Sequence, residues 1–186
     1  MNREELKVYK PKYRDGNIYM TDNDIEHCIM YGDEELYIKE SIRQILKKTN
    51  AKSVRELGYG LGFTAQAFQD YGIETHIIYE PNDYIFKKAE KWAKNKDGVT
   101  VVNARFEDAS NDKKVDLIYN DIYGMCNPDY QMANLEEVRE AFNFDWYTEF
   151  CVDYVEAEGV PEYYFRFQIG GHDKIQLIVK NNANNL

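Results

Sequence analysis

The chain has 186 residues, of which 44% are hydrophobic and 15% aromatic, and its 33 acidic and 23 basic side chains give a formal net charge of −10. This size and apolar content predict one globular domain and exclude global disorder. The negative charge disfavours a nucleic-acid partner, because affinity for a phosphate backbone needs clustered Lys and Arg. No apolar run reaches the roughly 18 residues of a membrane helix, and no signal core follows Met1. We therefore expect a cytoplasmic protein without a membrane partner.

The cysteines and histidines favour packing or surface roles over a metal centre or a disulfide framework, because they are few and widely spaced. They are Cys28, Cys126, Cys151, His27, His76 and His172. We predict no bound metal.

The first fifty residues are expected to form an N-terminal arm and a lid helix. The stretch through Asp24 is polar and rich in turn-forming residues, which indicates a loosely ordered arm. From Asp33 to Lys48, apolar residues recur at steps of three and four, which is typical of one face of a helix. We expect residues 1–50 to belong to the same domain as residues 51–186.

Short apolar runs then alternate with helical patterns. Strands are predicted at 53–57, 76–79, 99–102 and 116–119, and helices at 64–71 and 83–94. Strands joined by crossover helices imply a parallel sheet with both faces covered, so the predicted class is α/β.

The last third of the chain carries weaker signals. Helices are predicted at 135–142 and 145–155, with a break near Asn143. Two strand patterns at 163–169 and 174–180 flank a Gly-Gly-His-Asp turn, which predicts an antiparallel hairpin.

A glycine-rich turn follows the first predicted strand, with the sequence Glu56-Leu57-Gly58-Tyr59-Gly60-Leu61-Gly62. Small residues at these positions allow a ligand to approach the backbone closely. The spacing differs from the dinucleotide pattern G-x-G-x-x-G, because the glycines fall at every second position. A turn that only connects strand to helix is the alternative interpretation.

Polar residues also follow the next three predicted strands. Glu80 closes the second strand, where an acidic side chain can accept hydrogen bonds from ribose hydroxyls. Phe106 and Glu107 offer an aromatic wall and an acceptor for an exocyclic amine, and Asn120 and Asp121 follow the fourth strand. Such strand ends meet at one edge of a parallel sheet, so one ligand crevice is predicted. Solvated strand ends or helix caps are the alternatives for the acidic residues.

The order of these features resembles the S-adenosyl-L-methionine-dependent methyltransferases with a Rossmann-like sheet, and in particular the guanidinoacetate N-methyltransferase family. The resemblance rests on His-Ile-Ile-Tyr-Glu-Pro-Asn-Asp-Tyr-Ile-Phe at 76–86, Lys-Trp-Ala at 91–93, Arg-Phe-Glu-Asp at 105–108 and the segment 116–123. It covers residues 26–125 well and the closing hairpin loosely. It implies a mostly parallel sheet with an antiparallel hairpin, and S-adenosyl-L-methionine as cofactor.

The resemblance also implies roles for individual residues. Cofactor contacts are implied for Met30, Ile38, Glu56, Gly58, Tyr59, Gly60, Leu61, Gly62, Phe63, Thr64, Glu80, Pro81, Asn82, Phe106, Glu107, Asn120 and Asp121. Glu34 and Asp121 would be the substrate carboxylates, and Asp121 would hold the guanidino group beside the sulfonium methyl.

The Glu34 and Asp121 pair also fits the chemistry of methyl transfer. Two facing carboxylates are costly unless a cation or a metal lies between them, and a guanidinium or ammonium acceptor relieves that cost. Transfer from a sulfonium needs a free lone pair on nitrogen, so a carboxylate can orient the acceptor and take a proton. We expect N-methylation of a small cationic guanidino or amino compound. For Glu34, an exposed acid that favours the helix dipole is the alternative.

Two departures from the family pattern leave other functions open. Arg55 stands in the first predicted strand and would need a carboxylate partner if buried. Only residues 155–161 separate the last predicted helix from the hairpin, so one strand and one helix of the family are expected to be missing or compressed. The alternatives are a catalytically reduced protein that binds S-adenosylmethionine or S-adenosylhomocysteine, and an interaction module. A homodimer could cover the apolar surface that a missing element exposes.

Overall fold

The computed structural model describes residues 3–108, 113–122, 128–149, 164–169 and 172–181. In chain order its helices and strands are α1 (Arg3–Val8), β1 (Lys12–Arg14), β2 (Asn17–Asp22), β3 (Ile25–Met30), α2 (Glu35–Thr49), β4 (Ser53–Leu57), α3 (Phe63–Asp70), β5 (Thr75–Tyr79), α4 (Asp83–Ala93), β6 (Val99–Val102), β7 (Val115–Asn120), α5 (Pro128–Ala141), β8 (Phe144–Glu149), β9 (Tyr164–Ile169) and β10 (His172–Lys180). No helix in these ranges has the length and apolarity that crossing a bilayer requires.

The central sheet has seven strands in the order β6-β5-β4-β7-β8-β10-β9. Strands β4 to β8 pair in parallel, whereas β10 pairs antiparallel with both β8 and β9. The predicted α/β class, the mostly parallel sheet and the C-terminal hairpin are therefore confirmed. Strand order reverses between β4 and β7, and ligands of open α/β sheets bind beyond the carboxyl ends of the strands at such a point.

The core forms because both faces of the central strands are covered. Val54 and Leu57 of β4 and Leu117 and Ile118 of β7 are fully buried, as expected for inner parallel strands. On α2, the predicted apolar face is observed, since its isoleucines at positions 38, 42 and 45 are fully buried in one cluster with Val54 and Leu117.

The N-terminal arm differs from its prediction, because residues 3–30 form α1 and an antiparallel sheet in the order β1-β2-β3. Ile18 of β2 and Met30 of β3 are buried in one cluster with Val54 and Leu117. Backbone pairing and this long-range packing stabilise a stretch whose composition is mostly polar. A polar sequence with few apolar residues gave little indication of that packing.

The predicted helix at 145–155 is wrong where the structure describes it. Phe144–Glu149 forms strand β8, which pairs with β7 and β10. Aromatic and β-branched residues such as Trp146, Tyr147 and Thr148 favour strands, and neighbouring Tyr147 and Thr148 are both fully buried, so the strand shows no alternation. The fifth parallel strand, which was expected to be missing or compressed, is present as β8. The rest of the predicted helix and the segment to 163 lie outside the described residues.

Arg55 does not have the carboxylate partner that its burial led us to expect, as far as the described ranges extend. Its side chain is fully buried, its Nη2 donates to the Lys113 carbonyl, and its guanidinium carbon lies 4.5 Å from the Phe142 ring centroid. Burial lowers the pKa of Arg55. A cation–π contact and a carbonyl thus take the place of an ion pair.

A buried hydrogen-bond chain joins α2 to the C-terminal strands. Ser41 Oγ of α2 donates to Gln176 Oε1 of β10 at 2.9 Å across 135 residues of sequence. Gln176 Nε2 donates in turn to Thr148 Oγ1 and to the Glu149 carbonyl of β8, at 2.8 and 2.7 Å. These contacts fix α2 against the half of the sheet that carries the hairpin.

Candidate active site

A cavity of about 310 Å³ lies beyond the carboxyl ends of β4, β5, β6 and β7. The N-terminal segment contributes to its wall. Among the predicted site residues, those that line it are Met30, Glu34, Ile38, Gly58, Gly60, Glu80, Pro81, Asn82, Phe106, Glu107 and Asp121. The structure therefore brings the N-terminal segment, the glycine turn after β4 and the ends of β5, β6 and β7 together around one space.

The other predicted residues lie beside this cavity without lining it: Glu56, Tyr59, Leu61, Gly62, Phe63, Thr64 and Asn120. Tyr59, for example, is buried and its ring lies 5.8 Å from the ring of Trp92 on α4. The wall also includes residues that sequence reasoning missed: Leu6, Met20, Ile29, Tyr79, Ile85, Ala104, Arg105 and Ile122. The first three belong to the arm, whose fold was not predicted, and Arg105 was visible only as a neighbour of the predicted Phe106 and Glu107.

The glycine turn packs closely against Met30 of β3. Gly60 has a φ of 52°, and a Cβ at this position would lie 2.5 Å from Met30 Sδ. The same sulfur accepts a hydrogen bond from the Leu61 N–H at 3.0 Å. A side chain at position 60 would therefore be strained by its backbone and would displace the side chain of Met30.

Glu80 connects the end of β5 to the glycine turn. Its Oε2 accepts the Tyr59 N–H at 3.0 Å and its Oε1 accepts the Asn82 N–H at 2.8 Å. Burial raises the pKa of Glu80, against the opposing effect of backbone N–H groups that include Gly60. Because Glu80 is only 5% exposed, it is not a solvated strand end.

The side chain of Asn82 uses all its hydrogen-bonding capacity inside the protein. Its Oδ1 caps α4 by accepting the N–H groups of Tyr84 and Ile85, both at 3.0 Å. Its Nδ2 donates to the carbonyls of Leu6 and Tyr9, both at 2.7 Å. Asn82 therefore fixes the end of α1 beside the cavity. A cofactor at this position would contact the backbone of Asn82 or pack against its side chain, because the side-chain amide has no further hydrogen bond to make.

Phe106 and Glu107 form the wall next to α1. Phe106 is buried, and its ring centroid lies 6.2 Å from that of Phe142. Glu107 Oε1 accepts a hydrogen bond from Arg105 Nε at 3.1 Å and lies 3.6 Å from Arg3 Nη2. Partial burial would raise the pKa of Glu107, but the hydrogen bonds and charge of Arg105 outweigh it, and the pKa is lowered.

Glu56 is paired with a histidine in the core. Its Oε2 lies 2.8 Å from His76 Nε2, and both side chains are fully buried. Burial lowers the pKa of His76 to about 3, so the imidazole is neutral. Burial, and then the charge of Glu80, raise the pKa of Glu56. His76 also packs against Phe68 at 5.5 Å between ring centroids, which agrees with its expected packing role.

Asp121 and Glu34 lie on the wall of the same cavity. Burial raises the pKa of Asp121 well above its usual range, and the negative charges of Glu56, Glu34 and Glu149 raise it further, while the Thr64 hydroxyl opposes the rise. Glu34 ends the 3₁₀ turn before α2, and its Oε2 accepts the Tyr31 N–H at 3.2 Å. Glu34 therefore stabilises the helix start and also faces the cavity.

Glu149, at the end of β8, is a buried carboxylate that sequence reasoning missed. In the pairing of β7 with β8 it lies opposite Asn120, directly before Asp121. Its Oε2 accepts the Tyr147 hydroxyl at 2.6 Å, and Asn134 Nδ2 lies 3.1 and 3.3 Å from its two oxygens. The sequence placed this residue in a predicted helix, so its position beside Asp121 was not foreseen.

Comparisons with known proteins agree with this geometry. A model of the family described as guanidinoacetate N-methyltransferase matches residues 17–165. The magnesium protoporphyrin IX methyltransferase ChlM of Synechocystis PCC 6803, solved with bound SAM, superposes with a TM-score of 0.58 at 9% identity, over 80% of each chain. An rRNA methylase from Escherichia coli superposes with a TM-score of 0.54 at 18% identity, over 81% of this chain and 66% of that one. The two structures share the fold, and the family match, which extends over most of the sequence, shows that the chain belongs to the guanidinoacetate N-methyltransferase family.

Proposed function

We propose that this protein transfers a methyl group from S-adenosyl-L-methionine, its cofactor, to a nitrogen of a small guanidino or amino compound. The observation that carries the proposal is one cavity lined by Glu80 and Phe106 and also by Glu34 and Asp121. The first pair suits a nucleoside and the second pair suits a cation. A methyl donor and a cationic acceptor can therefore meet in a single space.

The chain's own residues fit the cofactor. The two oxygens of Glu80 accept the N–H groups of Tyr59 and Asn82, and a carboxylate has about four lone-pair positions, so it can also accept a ribose hydroxyl. Phe106 offers an apolar face for the adenine ring. Gly60 lines the cavity, where the methionine part of the cofactor can approach the backbone of the glycine turn. The cofactor supplies the sulfonium methyl group.

Glu34 and Asp121 are proposed to act on the acceptor. Burial, and then the charges of neighbouring carboxylates that include Glu34, raise the pKa of Asp121, and a guanidinium or ammonium group near the pair would offset both effects. The acceptor nitrogen needs its lone pair at the moment of transfer, and a carboxylate with a raised pKa is a better proton acceptor than an ordinary aspartate. Asp121 then orients the nitrogen and takes its proton, while Glu34 holds the cation.

Residues 1–50 are proposed to act as a lid that belongs to the same domain as residues 51–186. Leu6, Met20 and Ile29 contribute to the cavity wall. Ile18 and Met30 share a buried cluster with the central sheet, so the lid and the sheet have a common core.

The experiment combines binding with transfer. Isothermal titration with S-adenosylmethionine and, separately, with NAD tests the cofactor, and we expect binding of the former alone. Transfer of a labelled methyl group to guanidino and amino compounds tests the acceptor. Asp121→Asn is expected to bind the cofactor without transferring the methyl group, whereas the exposed matched variant Asp97→Asn keeps both properties.

Each result discriminates between functions. Full transfer by Asp121→Asn would remove Asp121 from the mechanism. Tight cofactor binding with no transfer to any guanidino or amino acceptor would favour a protein that only binds the cofactor. Binding of neither ligand would favour an interaction module.

A further inference from the structure

A pair of buried hydroxyl groups lies next to Asp121, on the face of the sheet that α3 covers. Tyr119 and Asp121 stand two residues apart at the end of β7, so their side chains point to the same face. The Tyr119 ring packs edge-on against Phe68 of α3, with 5.5 Å between the ring centroids. Thr64 comes one helical turn before Phe68 and therefore shares its face of α3. Helix α3 thus holds Thr64 over the end of β7.

Neither the Thr64 nor the Tyr119 hydroxyl has a formed hydrogen bond within the part of the chain that the structure describes. Both are closed off from water, since Thr64 is 1% exposed and Tyr119 is fully buried. A buried hydroxyl without a partner gives up its hydrogen bonds to water and destabilises the folded protein. Such groups are rare in native structures, and a catalytic contact that forms only in the working state is one reason for them.

The Thr64 hydroxyl is placed to act on both Tyr119 and Asp121. Burial raises the pKa of Tyr119 and of Asp121, and the Thr64 hydroxyl acts in the opposite direction on both. A hydroxyl that donates to an acidic group favours the ionised form of that group, so Thr64 works against the effect of burial on Asp121. An ionised carboxylate only accepts hydrogen bonds, which makes a hydroxyl proton a suitable partner.

Asp121 needs such a donor because its other neighbours oppose its ionisation. After burial, the negative charges of three carboxylates raise the pKa of Asp121. The titratable groups that act on it or with it from the surrounding elements are Glu34 before α2, Glu56 of β4, Glu149 of β8 and, on its own strand, Tyr119. From α3, Thr64 offsets part of their effect without adding a charge to the site.

We propose that Thr64 is a positioning residue for methyl transfer: its hydroxyl donates to the ionised Asp121 carboxylate, and the Tyr119 hydroxyl donates in turn to Thr64 Oγ1. This bond fixes the carboxylate and leaves its other lone pairs for the acceptor nitrogen. Asp121 receives the proton that leaves this nitrogen, and both hydroxyls keep their own. Thr64 is not part of the described wall of the cavity, so its hydroxyl acts through Asp121 and not on the ligands. This inference rests on the proposed function.

The first test measures the pKa of Asp121 without substrate or cofactor, from the NMR shift of its carboxyl carbon during a pH titration, with Asp121→Asn to assign the signal. Thr64→Val removes the hydroxyl and keeps the branched shape of the side chain. We expect it to raise the pKa of Asp121 by about one pH unit or more, as the loss of one hydrogen bond to a charged group does. Thr64→Ser keeps the hydroxyl and is expected to keep the wild-type pKa. The exposed Thr100→Val of β6 is the matched control and is expected to change nothing.

The second test measures the effect of this contact on transfer. In Thr64→Val the rise of kcat/KM with pH is expected to move to higher pH, and kcat/KM at neutral pH is expected to fall by about tenfold or more. Affinity for S-adenosylmethionine, and Tm at a pH where Asp121 is protonated, are expected to stay at the wild-type values, because Val replaces an unpartnered hydroxyl in the same shape. Thr64→Ser is expected to restore transfer. A residue with only a structural role would change Tm and leave the pH profile in place.

Tyr119→Phe tests the order of the two hydroxyls. Because Tyr119 is proposed to donate to Thr64, its loss is expected to raise the pKa of Asp121 by less than Thr64→Val does, and to add nothing in the Thr64→Val background. An equal effect in both backgrounds would show that Tyr119 acts on Asp121 directly and would overturn the proposed order. If Thr64→Val fails to fold, Tyr119→Phe decides the inference, because an unchanged pKa of Asp121 in that variant would overturn it.

The remaining outcomes separate the inference from the function on which it rests. An unchanged pKa of Asp121 in Thr64→Val would overturn the inference, whatever the wild-type protein methylates. A raised pKa that Thr64→Ser shares would assign the effect to the Thr64 methyl group and would overturn the inference as well. Transfer by the wild-type protein to no guanidino or amino compound would overturn the proposed function, whereas the titration would still decide the contact between Thr64 and Asp121.

Discussion

The carboxylate of Glu80 accepts the backbone N–H of Tyr59 at 3.0 Å and thereby ties the end of β5 to the glycine turn after β4. Replacing Glu80 with Ala removes an acceptor from two buried N–H groups and from the proposed ribose site. We expect Glu80→Ala to weaken binding of S-adenosylmethionine by about 1–3 kcal/mol, measured by isothermal titration. The exposed Glu90→Ala is the control, and unchanged affinity in Glu80→Ala would contradict the cofactor assignment.

A second prediction concerns Gly60 and Met30. Gly60→Ala is expected to lower the free energy of unfolding by about 1–2 kcal/mol, because a side chain at positive φ is strained. The added Cβ would also lie 2.5 Å from Met30 Sδ, so the Met30 side chain must move. At Gly72 the φ is 80°, and no atom lies within 4 Å of the position that an added Cβ would take. The loss of stability in Gly72→Ala therefore measures the backbone strain alone.

Urea unfolding of these variants separates the two contributions. The excess cost of Gly60→Ala over Gly72→Ala is expected to disappear in a Met30→Ala background, as a double-mutant cycle measures. An excess that remains without the Met30 side chain would show that the sulfur is not the source of the conflict.

Asn82→Asp tests the connection between α1 and the cavity. The variant keeps the oxygen that caps α4, but it loses the amide that donates to Leu6 and Tyr9. We expect residues 3–9 to exchange amide hydrogens faster, and cofactor affinity to fall by about fivefold for roughly 1 kcal/mol of lost hydrogen bonding. The exposed Asn95→Asp is the matched control. If the rates of amide hydrogen exchange in α1 were unchanged, contacts other than those of Asn82 would hold the helix.

The raised pKa of Asp121 predicts the pH dependence of activity. The ionised carboxylate is the form that holds a cation and takes a proton, so kcat/KM is expected to rise with pH as Asp121 loses its proton. This rise lies above the usual range for an aspartate, because burial and then the charges of Glu56, Glu34 and Glu149 raise the pKa. Glu149→Gln removes one like charge and is expected to move the rise to lower pH. If kcat/KM rose at the same pH in the wild type and in Glu149→Gln, the charge of Glu149 would not affect the pKa of Asp121.

The same pKa shift predicts a gain in stability for a variant that loses activity. A group with a raised pKa in the folded state contributes its full stability below its unfolded pKa, and that contribution is lost as pH rises through the folded pKa. At neutral pH Asp121 therefore destabilises the cofactor-free protein, and Asp121→Asn is expected to raise Tm there. The difference from wild type is expected to shrink toward pH 4. An equal or lower Tm at neutral pH would contradict this prediction.

Local patterns predicted much of the fold. The periodicity of α2 and the apolar runs of β4, β5, β6 and β7 are properties of neighbouring residues, and all of these elements are confirmed. Strand β8 was mistaken for a helix because burial on both sides removes the alternation that marks a strand. The arm was mistaken for loose chain because its packing partners are distant in sequence.

The sequence likewise predicted part of the candidate site. Residues at the ends of parallel strands, such as Glu80, Phe106 and Asp121, were found because topology brings such ends together. Leu6 and Glu149 were missed because their positions depend on the arm and on β8. The roles of the site residues, a homodimer and a cytoplasmic location stay predictions.

The hydrogen bond between Ser41 and Gln176 has a consequence for synthesis of the chain. Its two partners are 135 residues apart, so the lid helix leaves the ribosome long before β10 exists to receive it. The chain must keep the isoleucine face of α2 away from other molecules during that interval. Contacts of such high sequence separation slow folding, and we expect nascent chains that end before β10 to bind chaperones and to aggregate more readily than the complete chain.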